Sequence, residues 1–348
     1  MRSYFFFDGG IVLMIRMSAV LASAVLAGAL AAPPALADAA GPAAAPRTTT
    51  APRVTTAYEL PGDRVYPEGI TADPRTGVLY AASWADGTVY ELTPGRRVAA
   101  TFLPAGSDGR DTANGLEADD AGRLWVTDST SGVFVYDTRT RELLARFDVP
   151  AGAPSFVNDL AVAPDGAVYV TDSLRAVVYR VTPAQFERAR GGAAELTPFA
   201  ALEAALDPHA DGAYTLNGIV TDPSGRYLLT ADMTGGDLFR VDLATRAVRR
   251  VTLRGGDMLH ADGLELRQGT LWAVHNTADT ISRWHVAAGG GTATVEKRLT
   301  DPALQLPTTL ARVKGTLYVV RSQFDRGGPL GDEGAPQIPF TVAAVRGL

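Results

Sequence analysis

The sequence predicts an all-β fold, a six-bladed β-propeller of four-stranded antiparallel blades whose ring is closed by the N-terminal strand. Three observations carry that expectation. One pattern recurs six times along the chain at a spacing of roughly 45 residues, the period of a propeller blade. Inside each copy, apolar and polar residues alternate with a period of two and Gly-containing turns divide the runs. Cysteine is absent from the 348 residues, so packing and ring closure must hold the fold without disulfides.

From the N-terminus onward, Arg16 precedes the apolar run SAVLASAVLAGALAA, and Ala35-Leu36-Ala37 offers a small-residue cleavage site before Asp38. Residues 1–37 therefore read as a signal peptide, with Met1, Met14 or Met17 as the start, and predict a secreted protein. DAAGPAAAPRTTTAP, 38–52, has the composition of a disordered linker, and the propeller is expected over 53–348. No later run is apolar enough to cross a membrane, so no membrane contact is expected after cleavage. A formal charge of −6 without a basic stripe argues against a nucleic-acid partner. The pairs Arg96-Arg97 and Arg249-Arg250 read as solvated strand ends.

RVTTAYEL, 53–60, precedes the first copy and is spare. The copies begin at YPEGITADP (Tyr66), ANGLEADDAG (Ala113), FVNDLAVAPDG (Phe156), LNGIVTDPSG (Leu216), HADGLELRQG (His260) and TTLARVKG (Thr308). Second strands such as VLYAASW, RLWVTDS, AVYVTDS and TLWAVHN follow the turns, third strands such as TVYEL and DLFRV come next, and VAATFL and VRRVTL supply outer strands. The segment 185–206 is read as an insert with a short helix outside the blade pattern and as a plausible lid. PFTVAAVRG gives blade six its third strand, and 53–60 its missing outer one.

Innermost strands line a propeller's channel, so residues at their heads converge on the axis. The heads are Glu68, Asn114, Asn158, Asn217, Asp262 and a Thr near 309. All bring oxygen donors, the set that hard divalent cations prefer. Four of them precede Gly, and Asn-Gly and Asp-Gly are also hairpin-turn dipeptides. Each copy has its own turn a few residues later, which favours the ligand reading. Asp128, Asp172 and Asp232 in the tails read as turn caps. His260 and Tyr66 are candidates for the pocket wall, with His260 a possible proton carrier; His209, His275 and His285 read as surface or packing residues. No Gly-x-Ser-x-Gly elbow, dinucleotide fingerprint or P-loop is present.

In order and spacing, the motifs PEG, FVNDLAVAPDG, LNGIVTDPSGRYL and ADGLELRQGTLWA resemble those of the senescence marker protein/gluconolactonase (regucalcin-like) family of six-bladed propellers. The chain departs from the family at Leu160, at Ala261 and in HNTADT. The resemblance implies one divalent cation, calcium foremost with zinc, magnesium or manganese as alternatives, held by Glu68, Asn217 and Asp262. Asn158 and Asp159 would contact metal or substrate. It also implies a lactone or ester as substrate. On that basis the expected function is a monomeric, metal-dependent lactonase or esterase. Asp262 would be its catalytic base or nucleophile, and Asn158, Asp159, Asn114, Tyr66 and His260 would surround the substrate. The alternative is a calcium-stabilised propeller that binds a ligand without turnover.

Overall fold

The computed structural model describes residues 51–348; the expected signal peptide and most of the linker lie outside the described residues. Six antiparallel sheets follow one another along the chain, each built from one copy of the repeat. Their inner strands are Pro67–Ala72, Leu116–Ala118, Val157–Val162, Leu216–Thr221, Ala261–Arg267 and Pro307–Val313. The turns between first and second strands carry glycines at positive φ, including Gly77, Gly122, Gly166 and Gly225, where a Cβ would be strained.

The core lies between blades. Six apolar clusters each combine residues of two neighbouring sheets, because every blade has two apolar faces to cover. Trp125 and Phe147 of blade two, for example, pack in one cluster with Leu160 and Val170 of blade three. The last cluster joins blade six to blade one and contains Tyr58 and Leu60.

Those two residues belong to Arg53–Leu60, which pairs antiparallel with Phe340–Arg346 along its whole length. Blade six therefore takes its outer strand from the N-terminal end of the described chain and its other three from the C-terminal end.

Two blades differ from the four-strand expectation. Ala193–Glu195 joins the outer strand of blade two in parallel, and Thr252–Arg254 does the same on blade five. Each covers a raw sheet edge. VRRVTL is thus shared, its first part closing blade four and its second part blade five. The segment 185–206 is also divided. The helix Pro183–Ala189 packs Phe186 on Trp125, and Thr197–Ala201 is the outer strand of blade three. It lies at the outer edge, away from the channel, and so is no lid.

Candidate active site

In five blades the residue before the head pairs with the end of the second strand: Pro67 with Ser83, Val157 with Asp172, Leu216 with Asp232, Ala261 with His275, Pro307 with Arg321. The ladder then breaks and resumes at the third residue after that pair. Such bulges release a residue from the ladder and re-aim it. Here they release Glu68, Asn158, Asn217, Asp262 and Thr308, so register places the sixth head at Thr308 and not Thr309.

The glycines behind the heads are not turn glycines. Gly69, Gly115, Gly218 and Gly263 lack the left-handed φ of the hairpin glycines, and a Cβ on each would collide with the neighbouring blade. It would strike the Asn114 carbonyl from Gly69, the Asn158 carbonyl from Gly115 and the Asp262 carbonyl from Gly218. Glycine is needed because inner strands meet backbone to backbone around the channel.

Glu68, Asn114, Asn158, Asn217 and Asp262 are all buried. In four blades the residue just beyond the second strand orients the head beside it. Asn114 donates through Nδ2 to Ser129 Oγ at 2.9 Å, Asn158 to Ser173 Oγ at 3.0 Å and Asn217 to Met233 Sδ at 3.3 Å. Asn276 donates through Nδ2 to Asp262 Oδ2 at 3.0 Å. At Asn158 the amide orientation is forced: Ser173 spends its proton on the Leu216 carbonyl at 2.5 Å, so its oxygen can only accept. The consequence is the same in all three amides. The Oδ1 atoms of Asn114, Asn158 and Asn217 are buried and have no protein partner.

Orphaned acceptors in such a place are costly. Two carboxylates share their surroundings. Burial drives the Asp262 carboxyl up to about 8, against the pull of the Asn276 hydrogen bond. Burial, with repulsion from Asp262 and Asp159, holds Glu68 well above the usual carboxylate range. Three amide oxygens and two crowded carboxylates answer the needs of one hard divalent cation. Among the described residues no group of three or more His, Cys, Asp or Glu forms a metal cluster, so any cation here rests on amide oxygens as much as on charge.

A family model described as the SMP-30/gluconolactonase/LRE-like region matches residues 66–320. The chain belongs to that family. No curated protein matches it in sequence. Among solved structures it is similar to the Malassezia sympodialis allergen Mala s 1, at 17% identity and TM-score 0.59 over 81% of this chain and 93% of that one. It is similar to a calcium-binding regucalcin of Agrobacterium tumefaciens, at 19% identity and TM-score 0.56 over 84% and 98% of the two chains. A Xanthomonas campestris gluconolactonase aligns at 18% identity and TM-score 0.55 over 85% and 89%. At these identities the likeness concerns the fold.

Around this family's propeller channel the remaining expected residues separate. His260 is exposed, with φ 58°, two residues before Asp262 at the mouth. Tyr66 is only 2% exposed; its ring packs against Phe324 and Phe340, and its hydroxyl donates to the Arg326 carbonyl at 2.9 Å. It braces the loop of blade six and offers the channel no surface. Asp159 lines a cavity of about 450 Å³ at the other end of the inner strands, together with Glu117 and Glu265. Burial lifts Asp159 to about 7 and Glu117 to about 8. Thr308 turns its hydroxyl to the Glu68 carbonyl at 2.7 Å and joins blades six and one.

The tail aspartates are structural. Asp128 accepts four backbone N–H groups, from Asp111, Thr112, Thr130 and Ser131. Among the histidines, His209 binds Asp232 at 2.9 Å. Buried His275 donates through Nδ1 to the Leu259 carbonyl and pairs through Nε2 with Ser282 Oγ, and burial pushes its pKa below the usual imidazole range. What sequence reasoning missed is the set Ser129, Ser173, Met233 and Asn276. The repeated final Ser of Thr-Asp-Ser was its visible signal.

Proposed function

We propose that the protein is a secreted, divalent-metal-dependent hydrolase of lactones or related esters. The single observation that carries this is the ring of three unpartnered amide oxygens and two crowded carboxylates at one end of the channel. Family membership supports the reaction class, and the N-terminal pattern supports export. Glu68, Asn158, Asn217 and Asp262 would hold the cation, calcium in the first instance, with Asn114 completing the ring. When bound, a divalent cation polarises a carbonyl oxygen and lowers the pKa of water.

Asp262 acts as the general base. Its Oδ2 is fixed by Asn276, and beside a bound dication its carboxyl would be ionised and free to take a proton from water. Water adds to the carbonyl carbon and its proton goes to Asp262. The ring C–O bond then breaks, and the proton passes to the leaving alkoxide. The Asn158 amide, locked by Ser173, positions the substrate. Burial of the ring keeps bulk water from the reacting carbonyl.

Asp262→Asn keeps size and hydrogen bonding but removes the base. Turnover of a lactone and aryl-ester panel should fall by about 10²–10⁴-fold, with the circular dichroism spectrum unchanged. Retained turnover in that variant would remove Asp262 from the chemistry. Calcium binding without turnover of any substrate would identify a binding propeller instead.

A further inference from the structure

Five large apolar side chains are exposed among the described residues: Val98, Tyr214, Leu259, Leu330 and Ile338. Four of them stand at the head end of the channel. Tyr214 lies three residues before Asn217 and Leu259 three before Asp262, and three residues of chain reach at most about 10 Å. Leu330 and Ile338 lie on the loop that leaves blade six at its head end, after Arg321. Half-buried Phe156, two residues before Asn158, meets the Tyr214 ring edge-on at 4.9 Å between centroids. Blades three, four and five thus present an aromatic and aliphatic wall directly beside the polar ring.

The mouth between blades five and six is different. There Asn276, Asp279, Gln305, Asp325 and Arg326 help line a cavity of about 210 Å³. An alkyl chain there would strip water from two carboxylates and a guanidinium, which is unfavourable. The wall of blades three to five, which sets Phe156, Tyr214 and Leu259 within two or three residues of the ring, suits one better.

We infer that the substrate carries an apolar alkyl or aryl substituent, seated on Phe156, Tyr214 and Leu259, while its ester or lactone group faces the ring of oxygens. This rests on the hydrolase reading above and narrows its substrate class away from sugar lactones. A polyhydroxylated ring would leave the apolar wall wet and would bring hydroxyl groups to side chains that cannot pair with them. Burying each added methylene instead gains free energy, and the gain appears in KM.

The test is a series of δ-lactones from δ-valerolactone to δ-dodecalactone, with glucono-δ-lactone beside it, on the mature full chain with calcium. The expected result is a kcat/KM that rises on the order of tenfold or more along the alkyl series, mainly through KM, with glucono-δ-lactone the poorest member. The Tyr214→Ser/Leu259→Ser double variant should bring the long-to-short ratio close to one, whereas Val98→Ser should leave that ratio unchanged. A flat series, a preference for glucono-δ-lactone, or a double variant that keeps the ratio overturns the inference while the hydrolase reading stands. If no lactone is turned over, the hydrolase reading fails. Calorimetric binding of the same series then decides the wall alone: affinity that grows with chain length supports it, and affinity that does not overturns it.

Discussion

At the scale of single residues, the ring depends on atoms that never face the substrate. Ser173 determines which end of the Asn158 amide points inward, because its own proton is committed to Leu216. Ser173→Ala should leave the fold intact and weaken calcium binding by about 10–100-fold, the usual cost of losing a ligand's supporting partner; titration calorimetry reads it. Met233→Leu should cost less, since a thioether is a weak acceptor. The carboxyls also set a pH dependence. Their folded pKa values lie above the unfolded ones, so without metal the folded state holds protons that the unfolded chain has released. Stability of the chelated protein is therefore lost as pH rises from about 4 to 8. Its melting temperature should fall by several degrees between pH 5 and 8, and added calcium should restore it most at the higher pH. The heads themselves were legible in the sequence because oxygen-bearing residues at repeat spacing stand out. Of their supports only the repeated Ser of Thr-Asp-Ser left a signal; Met233 and Asn276 share its register but not its chemistry.

At the scale of the strand, the glycine behind each head decides how closely neighbouring blades approach. Gly218→Ala would push a methyl group into the Asp262 carbonyl, a clash of backbone that cannot rotate away. Thermal denaturation should show a loss of about 1–3 kcal/mol or more, with weaker metal binding because Asp262 moves. Sequence alone already favoured a strand head over a turn for these dipeptides, because each copy carries its own turn further on; the approach of the next blade explains why the second residue is glycine. The strand order was readable from period-two alternation. The extra edge strands were not, because Ala193–Glu195 and Thr252–Arg254 pair in parallel with strands of another blade. The placement of 185–206 at the outer edge follows from Phe186 seeking Trp125, a contact that no local pattern encodes.

At the scale of the whole molecule, closure and site are one design. Arg53–Leu60 completes blade six, Arg321 reaches Thr56 and Thr341 across that sheet, and Thr308 fastens blade six to the Glu68 carbonyl. Glu68, the first of the proposed ligands, thus sits on the seam of the ring. A chain beginning at Pro61 should lose cooperative melting and calcium binding together, as read by calorimetry. Ring closure was legible from an unused strand at one end and a missing strand at the other. The converging oxygens then act together only because the ring is shut. The most direct test of that account is calorimetric titration of calcium into the chelated full chain at pH 8, with lactone turnover followed in the same samples. One ion bound per chain, with hydrolysis returning in step with occupancy and both lost in a Glu68→Gln/Asp262→Asn variant, is the predicted result. Hydrolysis that persists after chelation, or a ring that takes up no divalent cation, would contradict it.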